Sequence, residues 1–140
     1  MRASIISLTA AFLWIAAHSS MAADISPTFD TSGIWSNGRD PGGYDYFQNG
    51  LDVKILNVNR GFASFYSGTY VSNTAIEGVW QRKNRSNGCI TRMKMDIVVK
   101  SADEQTWKWT VLDSNCDLQK GKSGEDAVKR LKSVEYNLWY

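Results

Sequence analysis

Residues 44–80, YDYFQNGLDVKILNVNRGFASFYSGTYVSNTAIEGVW, constrain this chain more than any other stretch. Aromatic side chains dominate residues 44–48 and suit a pleated surface. Asn49-Gly50 follows, a hairpin signal, because both central residues of a type I′ turn need positive φ. Leu51, Val53 and Ile55 then alternate with Asp52 and Lys54, a period of two that gives one apolar and one wet face. Residues 57–61 supply a looser turn, 62–70 a third strand, 71–73 a further turn, and 74–82 a fourth strand with Ile76 and Trp80 on one face. Each strand can pair with its predecessor, so the expected topology is a meander.

A second hairpin is expected downstream of Cys89. Met93, Met95, Ile97 and Val99 share one face of their strand, and Arg92, Lys94, Asp96 and Lys100 the other. With residues 101–105 as the turn, matching apolar faces pairs Val99 with Trp107, Ile97 with Trp109 and Met95 with Val111. Continuing that register sets Cys89 opposite Asp117, one position from Cys116. A small bulge or a twisted strand end would bring the two cysteines into bonding reach. Such a disulfide would stabilise the fold by about 3 kcal/mol through the unfolded chain.

Residues 1–23 read as a secretory signal peptide, with Arg2 as the positive region, an apolar run over 5–17 and small residues around Met21-Ala22-Ala23. The apolar run is short for a membrane-spanning helix and ends in His-Ser-Ser. A secreted or periplasmic location follows, which suits a disulfide. Residues 24–32 read as a flexible lead, and residues 33–140 as the folded domain, within a mature chain of about 117 residues, enough for one modest core. The tail is ambiguous: a short helix or turn from residue 125 followed by a strand over 135–140, or a strand over 127–131 that closes the sheet.

Seven to eight short strands in a chain of this length give an all-β class, either barrel or sandwich. Sequential hairpins favour a single antiparallel meander β-barrel, with a short C-terminal helix as an option. Membrane insertion as an outer-membrane barrel is not expected, because the strands lack a matching apolar band.

Loss of the leader removes His18, the sole histidine, and Arg2. The net charge falls from +2 to about +1, which makes no electrostatic case for nucleic acid. Without histidine, Ser-His-Asp and Cys-His catalysis drop out, together with the commonest zinc ligand. No metal or cofactor is expected. Asp40, Asp45 and Glu77 remain as candidates for a carboxylate pair of the glycosidase kind, with solvated acids as the plainer reading. Arg82, Lys83 and Arg85 form a basic cluster expected on a loop, either solvated surface or a grip for an anionic partner.

Gly33-Ile34-Trp35, Gln48-Asn49-Gly50, Gly68-Thr69-Tyr70 and Gly78-Val79-Trp80 together resemble the strand rhythm of exported bacterial barrels of the calycin group, the lipocalins and avidins. The resemblance spans residues 33–113 in pattern. It implies a closed barrel with a ligand at one mouth, and an avidin-like arrangement would offer Asn37, Tyr70, Ser72 and Trp107 as pocket polar groups and tryptophan wall. The sequence departs from avidins at Met93 and Met95, where an aromatic wall would stand, and lacks the lipocalin Thr-Asp-Tyr motif, so biotin is not implied. The expected function is a non-enzymatic binding protein for a small apolar or amphipathic molecule. Trp35, Tyr70, Trp80 and Trp107 would be its walls, and Asn37 and Ser72 its rim. The alternative is a protein-interaction module, such as an inhibitor of an extracellular hydrolase. The deciding question is whether the interior is hollow or packed.

Overall fold

The computed structural model describes residues 24–40 and 42–131. The stretch read as a signal peptide, 1–23, and the strand expected over 135–140 lie outside them. The chain forms a closed antiparallel barrel of eight strands in sequential order. The strands are β1 (Gly33–Ser36), β2 (Tyr44–Asn49), β3 (Asp52–Val58), β4 (Phe62–Ser72), β5 (Ala75–Asn84), β6 (Ile90–Val99), β7 (Glu104–Ser114) and β8 (Ser123–Arg130). The expected meander is the observed one. Over residues 125–130 the short-helix option gives way to a strand, since β8 pairs with β7 from Thr110↔Ser123 to Glu104↔Lys129 and closes onto β1 at Trp35↔Arg130. A helical stripe and a short strand share apolar positions in so brief a segment, and the open edges of β7 and β1 decide for the strand.

Two local expectations are corrected. At the first hairpin Asn49 pairs with Asp52, so Gly50 and Leu51 are the turn residues. Only glycines have positive φ among the described residues, and Gly50 sits at 59°. That matches a turn with glycine at its first central position in place of type I′. In the second hairpin the connection is residues 100–103, with Lys100 N–H and Ser101 N–H both donating to Glu104 O at 2.9 and 3.2 Å. The tighter turn slides the pairing by two residues, to Val99↔Gln105, Ile97↔Trp107 and Met95↔Trp109. A slide of two preserves both faces, which is why the alternation could not detect it. A bulge is present, but with its extra residue on β7: Arg92↔Asp113 is followed by Met93↔Val111, leaving Leu112 over, which takes back one residue of the slide and brings Cys89 level with Cys116. The Cys89–Cys116 disulfide forms with its Cα atoms 5.4 Å apart.

The register arranges the interior in levels. Ile55, Tyr66, Trp80, Met93 and Val111 run across β3 to β7 as successive partners. One step further from the mouth run Val53, Gly68, Gly78, Met95 and Trp109. The paired Gly68 and Gly78 have a packing reason: a Cβ on either would lie under 3.0 Å from the Tyr66 ring, which covers both. Tyr66 Oη also reaches Met95 O at 3.3 Å.

Hairpin counting sorts the connections between two ends. The start of β1, the 50–51, 73–74 and 100–103 turns and the end of β8 lie at one end, which is closed. There Arg130 lies over the Trp35 ring, 4.6 Å from its centroid, and donates to Ser32 O, Asp30 O and Ala102 O. Trp35 Nε1 donates to Thr31 O at 2.8 Å. The residues read as a flexible lead lace this end together. Thr31 donates from N and Oγ1 to Gln48 Oε1 at 2.9 and 2.8 Å, and Thr28 N–H bonds Asn73 O at 2.9 Å.

Candidate functional site

The other end collects the loops 37–43, 59–61, 85–89 and 115–122 around an open mouth. Beneath it lies a cavity of about 290 Å³. Its apolar lining comes from Tyr44, Trp80, Met93, Met95, Trp107 and Trp109. These side chains point inward because their strands alternate, and Tyr44 meets both Trp80 and Trp107 edge to face. The Tyr44 and Trp107 centroids are 4.7 Å apart at 83°, and Trp80 and Trp107 are 5.9 Å apart. Trp109 gains its place because Gly124 stands opposite, where a Cβ would come within 2.4 Å of the indole.

The rim is polar. Loop 37–43 is folded on itself: Asn37 Oδ1 accepts from Arg39 N and Asp40 N at 2.9 and 3.0 Å. Asp40 accepts from Asn37 Nδ2 at 3.0 Å and from the Tyr44 hydroxyl. Burial first, then this carboxylate, pushes the Tyr44 hydroxyl far above its ordinary value, so it stays a donor. Arg39 pairs with Asp126, whose other oxygen accepts from Trp109 Nε1 at 3.2 Å. The loop is thereby tied to β8 across the rim.

One level of the barrel just inside the mouth is polar. Asn57, Ser64, Arg82, Thr91 and Ser114 are successive cross-strand partners from β3 to β7. Asn57 is spent on Gly43 O and Asn59, and Thr91 Oγ1 shares a 2.7 Å bond with Ser114 Oγ. Arg82 is stacked on Phe62, with Cζ 3.3 Å from the ring centroid. The basic-loop reading of Arg82 is therefore corrected: it lies within β5 and lines the cavity. Its parity with Ile76 and Trp80 was the available signal, masked by the exposed Lys83 and Arg85 beside it.

The expected site residues divide between the two ends. Asn37, Trp80 and Trp107 line the mouth cavity. Trp35 and Tyr70 do not. Trp35 is fully buried beneath Arg130, and Tyr70 Oη sits 3.4 Å from Phe29 O among the lead residues. Ser72 is exposed and accepts from Thr74 N and Ala75 N in the β4–β5 turn. The cause is direction: β4 runs away from the mouth, so its last residues reach the closed end. Ser64 and Trp109, read from the sequence as interior polar and aromatic groups, do line the cavity, and the sequence did not point to Tyr44, Arg82, Met95 or Asp126 as lining. Of the candidate carboxylates, Asp45 and Glu77 take outward positions, flanked by the inward-facing Tyr44, Tyr46, Ile76 and Gly78, and only Asp40 reaches the mouth. Among the described residues, no group of three His, Cys, Asp or Glu side chains could hold a metal ion.

No protein-family model, curated protein or solved structure matches this chain.

Proposed function

We propose that this chain is a non-enzymatic, exported binding protein of calycin type that takes one small amphipathic molecule into the mouth half of its barrel. One observation carries this reading: the packed barrel interior gives way at the mouth to a cavity of about 290 Å³ with an aromatic and thioether floor under a polar level. An apolar concavity with a few convergent polar groups is the usual form of a small-molecule site. The volume is at the low end for such sites and favours a one- or two-ring compound over a long acyl chain. The disulfide agrees with an oxidising compartment and so with export.

Tryptophan fluorescence tests the reading, since Trp80, Trp107 and Trp109 line the cavity. Saturable quenching by a compact aromatic amphiphile, abolished by the cavity-filling Met93→Trp, is the expected result. Absence of saturable quenching across a panel of such compounds would sink it.

The alternative, an interaction module such as a hydrolase inhibitor, has one observation in its favour. The outer face of β2 to β4 exposes Phe47 at 60%, Val58 at 54% and Phe65 at 49%, and Leu56 stands directly opposite Phe65. A stoichiometric exported partner lost in Phe65→Lys and retained in Met93→Trp would favour that reading.

A further inference from the structure

The hydrogen-bonding capacity left over in the mouth identifies what the cavity is suited to receive. Asp40, Arg39, Asn37 and Asn57 have partners within the protein, and Asp126 accepts from Trp109 through one oxygen while the other faces Arg39 as an ion pair and makes no hydrogen bond. Ser64 and Arg82 are different. They are direct cross-strand partners on β4 and β5, and both line the cavity. Ser64 is only 5% exposed, yet its hydroxyl has no hydrogen-bond partner among the described residues. Arg82 is half-buried, and its guanidinium meets the Phe62 ring but no hydrogen-bond acceptor or ion-pair partner among the described residues. Asp117 shares an adjoining cavity with Arg82 without pairing to it. A guanidinium removed from part of its water, with a planar fork of donors unspent, is matched by a carboxylate held bidentately. Stacking on Phe62 fixes the plane of the fork, which lowers the ordering cost of such a bond.

We propose that the ligand of the mouth is a small carboxylate, its oxygens received by Arg82 with Ser64 donating beside it. Its apolar body rests on Trp80, the next inward residue of β5, and on Met93, the cross-strand partner of Trp80. The assignment rests on the mouth being a binding site and adds the chemical class of what binds. Neither Asp40 nor Asp126 competes for Arg82, since each already has its own donors.

Matched acids and amides test this by titration calorimetry: 2-naphthoate against 2-naphthamide, phenylacetate against phenylacetamide, and cyclohexanecarboxylate against its amide. The expected result is that at least one acid binds about 10-fold or more tighter than its amide. Arg82→Met should erase that preference at an unchanged melting temperature, and Ser64→Ala should weaken the acid by about 3-fold while sparing the amide. Arg82→Lys guards against a folding defect: it keeps the charge, loses the fork and should retain a reduced preference. Equal affinity for acid and amide, or a preference that survives Arg82→Met, overturns the carboxylate assignment and leaves the binding-protein reading standing. No binding of any acid or amide, by heat or by tryptophan quenching, overturns both.

Discussion

At the closed end, Arg130 satisfies three backbone carbonyls and covers Trp35, while Thr31 and Gln48 fill the space below. At the mouth, Tyr44, Trp80 and Met93 surround a hollow, and Arg82 meets the Phe62 ring but no hydrogen-bond acceptor or ion-pair partner among the described residues. Both ends are rich in aromatic side chains and both contain an arginine. They differ in whether the chain itself supplies the groups that complete them. At the closed end the lead residues and the end of β8 do so. At the mouth the connecting loops bind one another and leave the interior short of atoms. Aromatic content is therefore no guide to a binding site, and an unpartnered polar group is one only where it borders the cavity, as Ser64 does: Gln105 Nε2, buried toward the closed end, also lacks a hydrogen-bond partner among the described residues and does not line the mouth.

Substitutions can break this contrast. Trp35→Ala should cost the most, about 3–5 kcal/mol in chemical denaturation, because its site is fully enclosed. Removing the disulfide with Cys89→Ser and Cys116→Ser should cost about 3 kcal/mol and leave ligand affinity nearly unchanged, since the bond constrains mainly the unfolded chain. Ile97→Ala and Met93→Ala make a matched pair. Ile97 is fully buried and should cost about 3 kcal/mol, whereas Met93 already borders a cavity and should cost nearer 2 kcal/mol. Equal costs for the pair would argue that the mouth is as tightly filled as the closed end.

Alkaline pH should expose what the two ends share. Burial raises the hydroxyls of Tyr44, Tyr46, Tyr66 and Tyr70 above their ordinary value. A folded-state value above the unfolded one means that stability is full below about pH 10 and falls as pH rises beyond it, when only the unfolded chain ionises. Melting temperatures should therefore be flat from pH 7 to about 10 and drop above it, with the tyrosinate absorbance of these four residues appearing together with unfolding. Tyrosinate that forms fully near pH 10 in a still-folded protein would contradict the packing described.

Much of the barrel was legible because period-two alternation reports which side chains face inward. Val53, Ile55, Ile76, Trp80 and the β6 series all lie where alternation puts them. Alternation does not report height along the barrel. Trp35, Tyr70 and Trp107 face the same interior, but only Trp107 reaches the cavity, because strand direction and stagger set the level. Nor does it report register, which depended on a connection of residues 100–103 whose length no residue type announces. Arg82 was hidden for a different reason: a charged residue beside Lys83 and Arg85 reads as surface, and its inward position rests on counting from Trp80.

The most direct measurement is the indole N–H region of a nitrogen-edited NMR spectrum during titration with 2-naphthoate. Trp80, Trp107 and Trp109 line the hollow, whereas Trp35 is sealed against Thr31 and Arg130. The expected result is saturable shifts at the mouth tryptophans with Trp35 unmoved. No saturable shift, or an equal response from Trp35, would show that the two ends do not differ in the way described.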